Sequence, residues 1–327
     1  MYTILLNLYI IINPMKILIC GLGSIGKRHA SNLLLLKKKD LVFFRERNLV
    51  LKNKILEKKK SFTSLKNALH EKPDVAFICN TTSKHINTAI ECAKKGCHLF
   101  IEKPLSDNLK DLKKLETIVK KKKIKVMIGY NMRFHPLMIK IKKILENDHL
   151  GNVYNIQSEW SEYLPDWHPW ENYEDTYAAK KKMGGGCSLT LSHELDSMYW
   201  LFGKIKSVNN FKIYKYLKGD VDTSSDFLIH FKNSAIGYSH IDFLGKPHIR
   251  KLYIAGTKKK IFFDYYKNQI EIINRSGVKK VIKVKFKKND MYLAEVKYFL
   301  TCIENNISPS PGIQDSKYIF ENLLSLG

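Results

Sequence analysis

The chain has 327 residues, 44% of them hydrophobic and 11% aromatic. That is length for about two domains and apolar content enough to exclude a disordered chain. Net charge is +25, from 56 basic residues against 31 acidic, and of the 56 basic residues six are arginine and 50 lysine. Readers of nucleic-acid sequence use arginine forks. A lysine excess in runs at 37–39, 58–60, 121–123, 180–182 and 258–260 reads instead as solvated surface, or as steering of an anionic ligand, and no nucleic-acid partner is expected.

In chain order, residues 1–14 (MYTILLNLYIIINP) are apolar but short of the about 20 residues a membrane span needs. They lack the basic start and small-residue cleavage site of a signal peptide. We read them as an N-terminal extension, with Met15 opening the first natural strand, and expect no membrane partner. From Met15 to about residue 130, short apolar runs alternate with helical patterns. The runs are KILIC (16–20), LVFF (41–44), VAFIC (75–79), HLFI (98–101) and KVMIG (125–129). One helical stripe is Leu109, Leu112, Leu115, Ile118 and Val119, after a Ser106/Asp107 cap. Such alternation predicts an α/β domain over 15–130, a parallel sheet with helices on both faces.

Beyond about residue 150 the runs become short and strand-like: NVYNIQSEW, DFLIHF, AIGYSHIDFL, KLYIAG, KIFFDYY, QIEII and KVIKVKF. Turn signals separate them, KNS at 232–234 and NRSG at 274–277. This predicts a second, α+β domain over 131–327 with a mostly antiparallel open sheet. A helix near 290–305, striped by Tyr292, Val296, Phe299, Leu300 and Ile303, is expected to close that sheet. The last helix, ending ENLLSLG, reads as clipped. Six cysteines, none in a CxxC or metal-type spacing, read as reduced core thiols of a cytoplasmic protein, and no metal is expected.

CGLGSIGKRH places Gly21, Gly23 and Gly26 as G-x-G-x-x-G between an apolar strand and a helix, the context that makes the pattern a dinucleotide site. The first glycine permits a tight turn and the second lets backbone approach a pyrophosphate. The third lets helix and strand pack closely. With Ser24 and Ile25, the loop would present helix N-terminal N–H groups to the phosphates. At the end of the second strand, FFRER puts Arg45 and Arg47 where an acid would bind the ribose of NAD. NADP(H) is therefore favoured, while the intervening Glu46 keeps NAD(H) open.

HLFIEKPLS (98–106) ends a strand in Glu102-Lys103-Pro104. In an open parallel sheet, ligands bind outside the carboxyl ends of the strands. Lys103 thus lies on the ligand side, where partial desolvation suits it to acid/base work, and proline fixes the bend. The glycine loop, the Glu-Lys-Pro strand end and the β-rich second half together resemble the glucose–fructose oxidoreductase / inositol dehydrogenase / rhizopine catabolism family (Gfo/Idh/MocA) from Met15 onward. The segments CNTTSKHINTAIECAKKGCHLFIEKPLS (79–106) and GYNMRFHP (129–136) carry the likeness most closely. The resemblance implies a Rossmann domain, with Lys103 beside nicotinamide and substrate. It places Glu102, Asn80, Thr81 and His85 along the cofactor, and Asn131 and Arg133 toward the substrate.

GGGCSLTLSHELDSMYWLFG (184–203) reads as glycines leading into one helix. Its apolar stripe is Leu191, Leu195, Met198, Tyr199 and Phe202, and its second face carries Thr190, His193, Asp196, Ser197 and Trp200. The resemblance makes His193 the site histidine, with Thr190 beside it. It also exposes a departure, because sugar dehydrogenases of the family place an aspartate three or four residues before that histidine. This chain has Thr190 and Leu189 there, and Asp166 is the candidate stand-in. Residues 162–182 add Tyr163, Asp166, Trp167, His168, Trp170 and Tyr173, a set suited to stacking on a sugar or to packing a loop. The stretch resembles a subgroup associated with bacterial surface-glycan sugars.

The expected protein is an NAD(P)-dependent dehydrogenase or reductase of a sugar or activated sugar, in surface-glycan biosynthesis. Lys103 and His193 would be its catalytic residues, and a homodimer or homotetramer its assembly. The alternative is a non-catalytic dinucleotide-binding sensor or regulator of the same fold, which the missing aspartate favours and the retained Lys103 and His193 oppose.

Overall fold

The computed structural model describes residues 15–46 and 53–324. Residues 1–14, read above as an extension, the last three residues and Arg47 lie outside the described residues. Contacts divide the chain into two units, one of residues up to Gly129 together with Tyr292–Lys317, the other of Tyr130–Met291 and the residues from Tyr318 on.

The first unit is built on six strands: β1 (Ile17–Cys20), β2 (Leu41–Phe44), β3 (Ser61–Phe62), β4 (Val75–Ile78), β5 (His98–Ile101) and β6 (Val126–Ile128). All pairs are parallel, in the order β3-β2-β1-β4-β5-β6. Every residue of β1 and β4 is fully buried, which explains unbroken apolar runs where a half-exposed sheet would alternate. Helices α1 (Ser24–Leu35), α2 (Leu65–His70), α3 (His85–Lys94) and α4 (Leu112–Lys122) connect the strands. Helix α4 starts later than its sequence stripe: Asp111 precedes it in a left-handed conformation without a side-chain cap. Ser106 and Asp107 are not its cap, because Ser106 Oγ accepts from the Asn108 N–H and Asn108 Oδ1 from the Lys110 N–H, closing local turns instead. Lys120, Lys121 and Lys122 fill the last turn of α4, where they oppose the helix dipole.

The second unit contains an eight-stranded sheet of β7 (Val153–Ser161), β8 (Ile205–Ile213), β9 (Ser224–Phe231), β10 (Ile236–Asp242), β11 (Ile249–Gly256), β12 (Lys259–Asp264), β13 (Gln269–Asn274) and β14 (Lys279–Lys283). The order is β14-β13-β12-β11-β7-β10-β9-β8. All pairs are antiparallel except β7 with β10. Strand β8 was not among the sequence-read strands, since its buried residues are few and its exposed ones include Phe211 and Ile213. The two turn signals form hairpins, with Ser234 and Gly277 at positive φ. Edge strand β14 carries Lys279, Lys280 and Lys283, charges that discourage further pairing. Helices α5 (Pro136–Glu146) and α6 (His193–Phe202) belong to this unit. A Cβ on Gly237 of β10 would stand 2.7 Å from the terminal methyl of Met198 of α6, so that side chain lies over the strand.

Helix α7 (Lys288–Glu304) is the main correction to the domain reading. From Tyr292 on it groups with the first unit, not with the antiparallel sheet. Phe299 packs edge-on to Phe77 and Phe100 at ring distances of 6.0 and 5.6 Å, and those two rings stack at 4.8 Å. A buried ion pair of 3.0 Å joins Lys38 to Glu304. An amphipathic stripe says that a helix packs, but not against which sheet. All six cysteines are free and buried.

The other face of the large sheet is open. Phe211, Leu228, Tyr238 and Phe262 are each at least 41% exposed there, beside a trough of about 660 Å³ that Tyr238, His240, Tyr253 and Phe262 line. His240 is clamped, Nδ1 2.7 Å from Asp226 and Nε2 2.9 Å from Asp242. The bond to Asp242, aided by Asp226 and opposed by burial, raises its pKa to about 9. A histidine whose folded pKa lies above its unfolded value stabilises fully below about pH 6.5 and loses that contribution as pH rises through about 9. The His240 imidazole should therefore titrate near pH 9 by NMR and fall toward the ordinary value in Asp242→Asn; a midpoint near 6.5 in the unmodified protein would contradict the clamp.

Candidate active site

Strand order reverses direction between β1 and β4, and ligands of such sheets bind outside the strand ends at that point. Gly21 follows β1 at φ +94°, and a Cβ there would lie 2.7 Å from both the Asn80 nitrogen and the Cys79 oxygen. Only glycine lets the two loops meet. A Cβ on Gly26 would strike the Gly21 carbonyl. Gly23, by contrast, caps α1 with no side chain and has open space around its Cβ position. Exposed Ser24 begins the helix and Ile25 follows. Bare helix N–H groups beneath open space fit a dinucleotide pyrophosphate. The nicotinamide cofactor would thus be held by Gly21, Gly23, Ser24, Ile25 and Gly26.

Arg45 follows β2 and donates from Nε to Ser61 Oγ at 2.8 Å. Glu46 is ion-paired with Lys84 at 2.5 Å. Asn80 donates to Thr88 Oγ1 at 2.8 Å, while its buried Oδ1 has no hydrogen-bond partner among the described residues. Thr81 precedes the turn Thr82–Lys84 and makes no side-chain cap bond to it. His85 is spent on the backbone: Nδ1 lies 2.9 Å from the Pro104 oxygen and Nε2 3.0 Å from the Asn80 oxygen. Burial lowers its pKa despite those two carbonyls, so the neutral ring donates to one of them. The cofactor role expected of His85 becomes bracing, tying the Asn80 turn to the Glu-Lys-Pro turn.

At the end of β5 the Lys103–Pro104 peptide is cis. Glu102 is buried, with Oε1 2.6 Å from His29 Nε2 and Oε2 accepting the Lys103 N–H at 3.2 Å. Lys103 itself is half-buried. Gly129 leaves room for this carboxylate, since a Cβ there would stand 3.3 Å from its carboxyl carbon. His29 was not foreseen. Its only sequence signal is an ionisable residue on the buried side of α1, and its partner is 73 residues away.

In the second unit, residues 184–203 do not form one helix. A turn at Cys187–Thr190 is held by Asp222, whose Oδ2 accepts from the Ser188 N–H and hydroxyl at 2.8 and 2.5 Å. The chain then restarts as α6, with His193 as first residue. His193 is 5% exposed, its ring 5.8 Å from Tyr130 and 5.9 Å from Trp160. The two carboxylates that follow it are each taken by an arginine. Glu194 is bidentate with Arg250 at 2.7 and 2.8 Å, and Asp196 with Arg133 at 2.6 and 3.0 Å. Arg250 also stacks over Trp160 at 3.7 Å.

Arg133, expected to face substrate, thus closes its fork on Asp196, because both are buried and each needs a counter-charge. Asn131 and Thr190 are buried at 3% and 2% exposure. Asp166 pairs with Lys246 at 2.7 Å, and Lys246 lies over Tyr163. Of the aromatic stretch, Trp167 packs edge-on to Phe243 at 5.4 Å, while Trp170 stands 76% exposed beside His168. Asp196→Asn should strand the Arg133 charge in the interior and cost about 3–5 kcal/mol. Denaturant unfolding measures it, and a loss under about 1 kcal/mol would contradict the pairing.

Comparison with known proteins agrees with this geometry. Residues 15–130 match the family model described as oxidoreductase family, NAD-binding Rossmann fold (GFO_IDH_MocA), and residues 138–262 match the GFO/IDH/MocA C-terminal domain. The chain is 26% identical to myo-inositol 2-dehydrogenase of Thermotoga maritima over 324 residues, covering 93% of this chain and 92% of that protein. Among solved structures, levoglucosan dehydrogenase in complex with NADH and levoglucosan superposes with a TM-score of 0.83 at 18% identity, over 94% of this chain and 95% of the other. UDP-N-acetylglucosamine 3-dehydrogenase GnnA of Acidithiobacillus ferrooxidans gives 0.78 at 17%, over 95% and 96%. The non-catalytic reading gives way to these matches: the chain belongs to the Gfo/Idh/MocA oxidoreductase family and is an NAD(P)-dependent dehydrogenase or reductase acting on CH–OH groups.

Proposed function

We propose that the protein interconverts a carbinol and a carbonyl on an activated sugar, with NADP(H) as its preferred coenzyme, in the making of a surface glycan. The observation that carries the reading is the strand-end lysine. Lys103 sits at the carboxyl end of β5, its backbone held by buried Glu102 and a cis proline, in the same unit as the glycine loop. The nicotinamide supplies hydride acceptance or donation. Lys103 exchanges the proton of the substrate hydroxyl as general acid or base, and His193 orients the substrate. Asn131, Thr190, Tyr163, Asp166 and His168 are proposed for the sugar, with Trp170 as a stacking surface.

The coenzyme preference rests on Arg45 beside Ser61, two donors suited to a 2′-phosphate. Pairing with Lys84 further neutralises Glu46, the acid that would otherwise favour an unphosphorylated ribose. Lysine-rich stretches such as 180–182 suit attraction of a diphosphate-bearing sugar. The open apolar face of the large sheet supports a homo-oligomer, and six buried free thiols suit the reducing cytoplasm.

Fluorescence titration with NADPH and NADH tests the coenzyme reading. NADPH should bind at least about tenfold more tightly, and Arg45→Ala should erase the difference; preference for NADH would overturn the use of Arg45. In a screen of free and nucleotide-linked sugars, Lys103→Met should lower kcat by about 10²–10⁴ while retaining coenzyme binding. Unchanged turnover in that variant would remove Lys103 from the chemistry.

A further inference from the structure

Three ionisable side chains converge inside the first unit. His29 comes from α1, Glu102 from the end of β5 and Glu295 from α7, at 0%, 6% and 0% exposure. One donor atom from each lies within 4.8 Å of the others, and His29 is hydrogen-bonded to Glu102. Both oxygens of Glu295 and Nδ1 of His29 have no hydrogen-bond partner among the described residues. The walls are aromatic: His29 lies 5.4 Å from the Phe77 ring, 5.0 Å from Phe100 and 6.3 Å from Tyr292. Two carboxylates in such a place cannot both stay charged and unpaired. Either a cation joins them or one keeps its proton.

The donor set argues against a cation. A metal on His29 Nε2 would need Nδ1–H to reach a carboxylate or carbonyl, and Nδ1 has no such partner among the described residues. A metal on Nδ1 would have only Glu295 beside it, because one Glu102 oxygen is taken by His29 Nε2 and the other by the Lys103 N–H, and two protein ligands are fewer than such sites use. The alternative is a proton on Glu295. Burial first, then the Glu102 charge, raises the Glu295 pKa well above the carboxylate range, with Arg28 opposing. Cys79, after β4, has its pKa pushed up, by burial first, so it stays a neutral thiol and adds no charge of its own. Arg28 is turned over the Tyr292 ring at 4.5 Å.

We propose that His29, Glu102 and Glu295 form a buried cluster that positions the Glu102-Lys103-Pro104 turn for proton exchange at Lys103, with Glu295 as its neutral carboxylic-acid member. The proposal rests on the reading of Lys103 given above and adds the residues that act through it. The cluster joins three separate parts of the chain: the helix that leaves the glycine loop, the strand end that carries Lys103, and α7. His29 orients one oxygen of Glu102, the other oxygen takes the Lys103 N–H, and Glu295 occupies the remaining side without adding a second negative charge.

The test uses the full chain with Glu295→Gln, His29→Leu and His29→Gln, the last keeping a donor for Glu102. Infrared spectra should show a protonated carboxylic-acid carbonyl band between about pH 6 and 8 that Glu295→Gln removes. The folded state then binds a proton that the unfolded chain releases, so wild-type stability falls as pH rises above the ordinary carboxyl value. The melting temperature of Glu295→Gln should accordingly gain on wild type from about pH 5 to 8. Exchange of the Lys103 amide should quicken about tenfold in His29→Leu and return in His29→Gln. These readouts need no substrate, so they hold even if the proposed sugar chemistry fails. With a turning-over substrate, His29→Leu should lower kcat more than it raises KM, and His29→Gln should restore it. Absence of the acid band, a stoichiometric divalent metal in the purified protein, or an unchanged Lys103 amide in folded His29→Leu would each overturn the proposal. If His29→Leu does not fold, Glu295→Gln and the metal analysis still decide it.

Discussion

The near-contact of two loops at Gly21 governs the first unit. The chain leaving β1 and the chain leaving β4 can touch only because position 21 has no Cβ, which would lie 2.7 Å from Asn80 backbone. That approach brings the start of α1 and the Asn80 turn together at the carboxyl end of a sheet whose central strands are wholly buried. Open space around Gly23 then leaves the helix N-terminus available to an anion. The remaining features of the site hang from this frame. His85 braces Asn80 to Pro104, and Glu102 carries Lys103 on one oxygen and His29 on the other.

The second unit solves a different problem. Its site helix begins at a histidine followed within three residues by two acids, and each acid is neutralised inside by a bidentate arginine. Such pairs add little net stability over apolar packing but are costly to break, because the survivor is left as a buried charge. They hold α6 to the segment 131–134 and to β11. Neither acid can then serve as a free partner to His193 without stranding an arginine. Where the resemblance leads one to expect a relay aspartate, this chain has Leu189 and Thr190, and Asp166, the candidate substitute, is paired with Lys246. Lys103 is left as the proposed proton-exchange group.

Much of the fold was legible because buried parallel strands write themselves as unbroken apolar runs, and the glycine loop adds a spacing that few other structures require. The strand end at Glu102-Lys103-Pro104 was legible for the same reason. What escaped is set by contacts distant in sequence. The stripe of α7 shows that it packs but not that Phe299 meets Phe77 and Phe100. The strand β8 has too little buried surface to alternate cleanly. The role of Arg133 turns on Asp196, 63 residues on, and that of Glu102 on His29 and Glu295. Ionisable residues advertise that they need partners, but not which ones.

The measurement that bears most directly on the central claim is differential labelling of lysines with an amine-reactive reagent, with and without bound coenzyme, resolved by mass spectrometry. Half-buried Lys103 is placed at the carboxyl end of the sheet that carries the glycine loop, where a bound nicotinamide should cover it. Coenzyme should slow labelling of Lys103 selectively, while exposed Lys258 and Lys279 label as before. Tight coenzyme binding with no protection of Lys103 would contradict the account, since the lysine would then lie away from the reacting ring.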